Sequence, residues 1–222
     1  MTVSDKLETS RALQALKDVV QLCGRPSAYA SLAAWAQAAA HPELARLAEE
    51  STHRLEEVEA DYNRMCIGPY RLLVPPYESV WRSGGRVLNN RFSAAVEYSY
   101  AQAGLASGGA LKELPDYFGN EIEFLYCLSA LSFHYRNAGD GEAASELEAM
   151  FIRFWAEHLG HWAPAFLQAV AENAQEPFWK EWSRVLAQVL EALFQDVPLS
   201  ETMSGVEEVP VAFPVSRPHT KD

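Results

Sequence analysis

Long apolar runs, cysteines and positive charges are all scarce in this chain, and each scarcity excludes a class of protein. No apolar run approaches the roughly 20 residues that a membrane-spanning helix needs. The first residues, MTVSDKLETSR, lack the basic and apolar regions of a secretory signal, so we expect a cytoplasmic protein. Cys23, Cys66 and Cys127 lie far apart, and their spacing fits neither a metal site nor a disulfide framework.

The charge is strongly biased toward acid. The chain has 18 Lys and Arg residues against 30 Asp and Glu residues, a formal net charge of −12. Such a field repels nucleic acid and anionic membrane surfaces and favours cationic partners, although solubility alone would also account for it. We expect no nucleic-acid partner and no membrane insertion.

With 49% hydrophobic residues in 222, the chain can bury the core of one packed domain.

Apolar residues recur at helical spacing through most of the chain, and no segment alternates as a strand would. Capping residues, Gly and Pro divide this pattern into about eight helices. They cover about 4–23, 27–40, 42–67, 92–103, 116–139 and 140–160, with Ser27, Asp116 and Asp140 as caps, and two more carry Pro164 and Pro177 in their first turns. The third is expected to bend or break near Ser51.

These patterns predict an all-α, single-domain helical bundle over residues 1–196 with one long proline-containing loop. Residues 197–222 are polar and punctuated by proline, and we interpret them as an extended or disordered tail. The segment 209–215 within this tail is a candidate to lie against the body.

One stretch interrupts the helices, residues 59–81, EADYNRMCIGPYRLLVPPYESVW. Gly68 and Pro69 end the preceding helix, because Gly adopts the left-handed cap and Pro cannot continue the hydrogen-bond ladder. Pro75 and Pro76 then force an extended backbone. The connection of about a dozen residues is longer and more aromatic than ordinary helix connections. We expect this loop to present Tyr77, Val80 and Trp81, with an acidic approach formed by Glu56, Glu57, Glu59 and Asp61.

This stretch resembles the signature of the TorD/DmsD/NarJ family, cytoplasmic chaperones that mature molybdenum-containing redox enzymes. The matching positions are Tyr62, Met65-Cys66, Gly68-Pro69, Pro75-Pro76-Tyr77, Ser79-Val80 and Trp81. A second block, LPDYFGNEIEFL at 114–125, is similar to the family's Pro-Asp-His block, and FWAEHLGHWAPAF at 154–166 matches more weakly. Tyr117 stands where many members have His, and Asn89-Asn90 replaces a Gly often found after the loop.

The resemblance implies a chaperone that binds the N-terminal leader of a molybdoenzyme catalytic subunit, often a twin-arginine signal peptide, and delays export until the cofactor is inserted. The apolar part of a leader needs a groove, and its Arg pair needs carboxylates. The peptide-binding residues expected are Tyr62, Met65, Cys66, Pro75, Pro76, Tyr77, Trp81, Asp116, Tyr117 and Glu121. A NarJ-like chaperone for a client without a twin-arginine leader is the alternative. We expect a monomer or a homodimer.

The acidic residues of the second block have a simpler interpretation as well. Asp116 at a helix start is typical of an N-cap whose oxygen accepts from an unpaired backbone N–H, and this stays open beside leader binding. Glu121 and Glu123 do not share one helix face, so only one of them can act together with Asp116.

Chemistry beyond binding has little support in the sequence. The pair His158 and His161 lacks the i, i+4 spacing of a zinc-protease helix, Gly160 interrupts the helix between them, and no third ligand is evident. We therefore expect no metal, no cofactor and no enzymatic activity. A helical enzyme built on these two histidines is the less favoured alternative.

Overall fold

Ten α-helices account for most of the part of the chain that the structure describes. This computed structural model describes residues 3–68, 72–84, 87–105 and 113–201, with side chains from residue 7 onward. The helices are α1 (Val3–Gln21), α2 (Pro26–Ala38), α3 (Pro42–Ser51), α4 (Leu55–Tyr62), α5 (Glu78–Arg82), α6 (Arg91–Gln102), α7 (Phe118–Asn137), α8 (Gly141–Glu157), α9 (Ala163–Asn173) and α10 (Pro177–Phe194). A π-helical turn, Asn63–Ile67, extends α4, and a 3₁₀ turn, Leu159–His161, follows α8. The predicted all-α bundle is confirmed.

The two helices beyond the predicted eight have identifiable causes. The break expected near Ser51 divides one long helix into α3 and α4, and the Ser51 hydroxyl donates back to Leu47 O at 2.7 Å. The second addition is α5, which forms inside the stretch predicted to be a loop. Val80 and Trp81 lie on this short helix, so their assignment to a loop is wrong. Pro69 lies outside the described residues.

Most predicted helix starts are confirmed, with exceptions at α2 and α7. Asp140 caps α8, accepting from Ala143 N at 3.0 Å. Ser27 does not cap α2, because the helix begins one residue earlier at Pro26, whose fixed φ suits the first helical position.

The Asn-Asn pair before α6 has a local explanation. Asn89 takes a φ of 53°, a left-handed conformation that Asn tolerates better than most non-glycine residues. Asn90 caps α6 by accepting from Phe92 N at 2.9 Å. The pair therefore supplies both the turn for which Gly was expected and a helix cap.

The core is built on large aromatic side chains that keep their polar atoms paired. Trp179 Nε1 donates to Val58 O at 2.8 Å, and Trp182 Nε1 donates to Leu16 O at 2.9 Å. These bonds tie α10 to α4 and α1, while α1 also packs along α7. None of the described helices is long and apolar enough to cross a membrane.

After α10 the chain turns back onto the end of α8. Ser200 N donates to Ala156 O at 2.9 Å, and His161 Nε2 donates to Ser200 O at 2.8 Å. Leu199 lies directly over Gly160. Residues 202–222, including the segment 209–215, lie outside the described residues.

Gly160→Ala should therefore destabilise the protein by about 1–3 kcal/mol, the usual cost of overpacking. The added carbon would lie 2.6 Å from Leu199 Cδ2 and 2.8 Å from the Trp155 carbonyl oxygen. Gly141→Ala is the matched control, since nothing lies within 4 Å of its new carbon. Thermal unfolding should show a lower Tm for Gly160→Ala and an unchanged or slightly higher Tm for Gly141→Ala. Equal Tm values for the two variants would contradict the packing described here.

Candidate functional site

The two motif blocks meet as neighbouring backbone segments. Phe118 N donates to Pro76 O at 2.9 Å, and an antiparallel bridge pairs Tyr77 with Tyr117. The rings of these two tyrosines lie 5.8 Å apart. The stretch between α4 and α6 and the start of α7 therefore form one structural unit, which a shared site requires.

Asp116 serves a different helix from the one it was expected to cap. α7 begins at Phe118, and Tyr117 at its N-cap position makes no side-chain cap. The Asp116 carbonyl oxygen accepts from Glu78 N at 3.1 Å, and its carboxylate accepts from Ser79 N at 2.9 Å. The capping prediction is wrong for α7, because this fully buried carboxylate binds the start of α5 instead.

The apolar residues predicted for the site support its backbone. Met65, Cys66, Pro75 and Pro76 are buried. Trp81 is partly buried, and its indole N–H donates to Pro75 O at 2.7 Å. These side chains fix the path of the loop, and Trp81 keeps part of its ring at the surface.

The tyrosines form a row in which Tyr117 is hydrogen-bonded to Tyr62 and packs against Tyr77. The hydroxyls of Tyr62 and Tyr117 lie 2.8 Å apart, and the Tyr117 hydroxyl also donates to Val20 O at 3.4 Å. Half-buried Tyr77 donates to the Glu113 carboxylate at 2.8 Å. Burial raises the pKa of Tyr117 well above its ordinary value of 10, so the phenol stays neutral near pH 7.

Behind these tyrosines, Glu78 places a carboxylate in the core with no solvent exposure. Arg82 pairs with one of its oxygens, and His158 Nδ1 lies 3.2 Å from the other. The Ser99 hydroxyl lies 3.1 Å from Ala95 O, to which it can donate, and 3.2 Å from His158 Nε2. The cluster joins α5 to α6 and to the end of α8.

Glu121 is a second fully buried carboxyl and accepts from Trp162 Nε1 at 3.2 Å. Burial, followed by the nearby charges of Glu78 and Asp116, raises the pKa of Glu121 well above its ordinary 4.5. Neither Glu121 nor Asp116 reaches the surface in this conformation.

The two histidines of the alternative enzyme hypothesis face different partners. His158 lies inside the Glu78 cluster, whereas His161 binds the carbonyl of Ser200. Across the described ranges, no three His, Cys, Asp or Glu side chains are arranged to hold a metal ion.

An open cleft of about 890 Å³ lies beside the row of tyrosines. Its walls are the end of α1 with the turn into α2, one side of α4, and the segment before α7. Tyr62 and Tyr117 contribute to its lining, and Ile67 stands at it with 57% of its surface exposed. Glu59 and Glu113 add two carboxylates and Arg25 adds one cation, and none of the three forms an ion pair within the described part of the chain.

Sequence reasoning identified only one of the two residues that make this cleft acidic. Glu59 entered only as part of an acidic approach, and its neighbour Asp61 is buried, where it accepts from Gln175 N and Glu176 N at the start of α10. Glu113 was not singled out. Its position three residues before Asp116, at the edge of the second motif block, is the signal that points to it.

The described part of the chain is a helical bundle with an aromatic and acidic cleft between its two motif blocks. The family model of the nitrate reductase delta subunit matches residues 30–168, and this chain belongs to that family. The family assignment confirms the resemblance to TorD, DmsD and NarJ.

Several relatives are named chaperones. The chain is 28% identical over 129 residues to the Tat proofreading chaperone DmsD of Salmonella typhi, and 27% identical over 129 residues to that of Salmonella typhimurium; each match covers 58% of this chain and 56% of the relative. It is 28% identical over 144 residues to the chaperone protein YcdY of Escherichia coli, covering 64% of this chain and 66% of YcdY. The similarity thus spans a little over half the length of the DmsD relatives.

Replacing the buried Glu78 or Glu121 by Gln should lower the stability of the protein by different amounts. Glu78→Gln leaves Arg82 and His158 without their carboxylate, and breaking a buried charge cluster costs about 3–5 kcal/mol. Glu121→Gln should cost much less, because the raised pKa of Glu121 already favours its neutral form.

The pH dependence separates them further. A raised folded-state pKa means that the native protein holds the Glu121 proton more tightly than the unfolded chain does. This stabilisation is complete below pH 4.5 and is lost as the pH rises toward the folded-state pKa. The stability of the wild type relative to Glu121→Gln should therefore fall with rising pH in urea unfolding. A difference that is constant with pH would show that Glu121 is charged in the native state.

Proposed function

We propose that this protein is a chaperone that binds the N-terminal leader of a molybdoenzyme catalytic subunit and assists its maturation before export or assembly. The family and the relatives named as chaperones support this proposal. The structural observation that carries it is the cleft, where aromatic and apolar side chains lie beside two carboxylates without ion-pair partners in the described part of the chain.

The cleft matches the two chemical parts of a twin-arginine leader. Its apolar stretch would lie against Ile67, Tyr62 and Tyr117, where burial of the exposed Ile67 side chain is favourable. Its Arg pair would bind Glu59 and Glu113, and Arg forms paired hydrogen bonds with carboxylates. In this account the fully buried Asp116 and Glu121 hold the site in shape and do not touch the leader.

A NarJ-like role, with a client that lacks the Arg pair, is the second candidate. The matching family model, which is named for the nitrate reductase delta subunit, favours it. The two carboxylates in the cleft favour the first candidate, because an apolar leader alone gives no reason for them. A leader peptide whose two Arg residues are changed to Gln distinguishes the candidates, since only the first requires them.

Removing the cleft carboxylates should weaken leader binding. Glu59→Gln and Glu113→Gln should each raise the Kd by roughly two- to tenfold, about 0.5–1.5 kcal/mol for a partly exposed ion pair. Glu57→Gln is the matched control, because it removes the same charge from the exposed side of α4. Titration calorimetry with the leader of the client recovered from the native host gives these constants at two salt concentrations.

The wild-type Kd should rise with salt, because exposed charges are screened beyond about 8 Å at physiological ionic strength. The double Gln variant should lose most of that dependence. Salt-independent binding, or an equal effect of Glu57→Gln, would rule out the carboxylate assignment.

Tyr117 should make leader binding insensitive to pH near neutrality. Its neutral phenol does not titrate between about pH 6 and 8, whereas a histidine gains charge near 6.5. Tyr117→His should therefore weaken binding as the pH falls, since a cation beside the cleft repels the Arg pair. Tyr98→His, on exposed α6 surface outside the cleft, is the control and should show no such change. If the Kd of folded Tyr117→His protein for the leader does not change with pH, Tyr117 does not lie beside the bound leader.

A further inference from the structure

A second groove, with no lining residue in common with the cleft, lies between α7, α8 and the end of α10. It has a volume of about 230 Å³, and its apolar walls are Leu128, Phe151, Ile152 and Leu193. Ile152 is 42% exposed, so the groove keeps a large aliphatic side chain at the surface. An exposed apolar wall of this kind is stabilised when another apolar segment covers it.

The chain emerges from the described region directly beside this groove. Phe194, the last residue of α10, stacks on the groove wall at Phe151 with ring centroids 5.1 Å apart. Ser200 then donates to the carbonyl of Ala156. Ala156 follows Ile152 by one turn of α8, a rise of about 6 Å. Whatever follows residue 201 therefore starts within easy reach of the groove.

The following sequence contains one apolar segment, VPVAFPV at 209–215. Pro210 and Pro214 are incompatible with a helix interior and favour an extended backbone. In an extended chain alternate side chains share one side, which groups Val209, Val211, Phe213 and Val215. Proline-containing segments of this kind bind apolar grooves through their side chains.

The connection is long enough. Residues 202–208 separate the described chain from this segment, and seven extended residues reach about 23 Å. The distance along α8 from Ala156 past Ile152 to Glu148 is about 12 Å.

The charges near the groove also fit. The amino-terminal half of α8 carries Glu142 and Glu146, as well as Glu148, which pairs with Arg136 of α7, and it has no basic residue of its own. The apolar segment is followed by Arg217 and Lys221, basic residues in a chain of net charge −12. A segment lying antiparallel to α8 places its basic end toward this acidic half.

We propose that residues 209–215 of the same molecule occupy the groove between α7, α8 and α10. The segment covers Ile152 and secures the three helices from outside, on a surface separate from the leader cleft. The proposal does not depend on the proposed function, since the groove and the cleft share no residue.

Disulfide trapping in the full chain tests this directly while leaving every apolar side chain in place. One variant carries Ala149→Cys, on exposed α8 surface three residues before Ile152, together with Ala212→Cys. The matched control carries Ala94→Cys, equally exposed on α6, with the same Ala212→Cys. Mass spectrometry of the oxidised proteins identifies which cysteines pair, including the native Cys23, Cys66 and Cys127.

We expect an intramolecular disulfide in the α8 variant to form at least about tenfold faster than in the α6 control, because docking raises the effective concentration. Adding Phe213→Asp should reduce the rate to the control level, whereas Val206→Asp should leave it unchanged. Equal rates for the two pairs, or a rate unaffected by Phe213→Asp, would overturn the proposal. A disulfide-linked dimer would also overturn it, since the groove would then bind a second copy.

Discussion

The buried carboxylate of Glu78 is the interaction on which the candidate site depends. A carboxylate taken out of water costs several kcal/mol unless it is paired, and here Arg82 and His158 supply the pairing. Arg82 lies one turn further along α5, whereas His158 follows the end of α8, so the pairing fixes α5 against a distant part of the bundle. The ring of His158 is held in turn by a hydrogen bond with Ser99 on α6. The position of α5 therefore follows from satisfying one buried charge.

The cleft is a consequence of that position. Glu78 follows Tyr77 directly, so fixing the carboxylate fixes the backbone that pairs with Tyr117. The Asp116 carboxylate also connects the two segments, because it accepts a hydrogen bond from Ser79 N at the start of α5. The Tyr117 hydroxyl then lies within hydrogen-bond distance of Tyr62 on α4, and both side chains line the cleft. The acidic residues thus divide by burial: those inside the bundle position the tyrosines, and those at the cleft are available to a cation.

The sequence predicted the helices well because most helix boundaries have local causes. Pro177 and Asp140 start helices through their own geometry, and these predictions are confirmed. Two of the misses, α5 and the role of Asp116, share one reason: the residue whose carboxylate and carbonyl accept from the first N–H groups of α5 comes from a segment remote in sequence. The motifs grouped Tyr62, Tyr77 and Tyr117 correctly, since the structure brings them together. They could not show that Asp116 is buried while Glu113 lines the cleft, because burial is set by packing and not by spacing.

The most direct test of leader binding in the cleft is site-specific photo-crosslinking in the native host. A photoreactive phenylalanine analogue replaces Ile67, which is exposed at the cleft, and in a control strain it replaces Tyr98, which is exposed on α6 outside the cleft. The account predicts that the Ile67 probe captures the amino-terminal, arginine-containing segment of a molybdoenzyme subunit, identified by mass spectrometry of the linked peptide, and that the Tyr98 probe does not. Capture of that segment by the Tyr98 probe, or its absence from the Ile67 products while the client still co-purifies, would contradict the account.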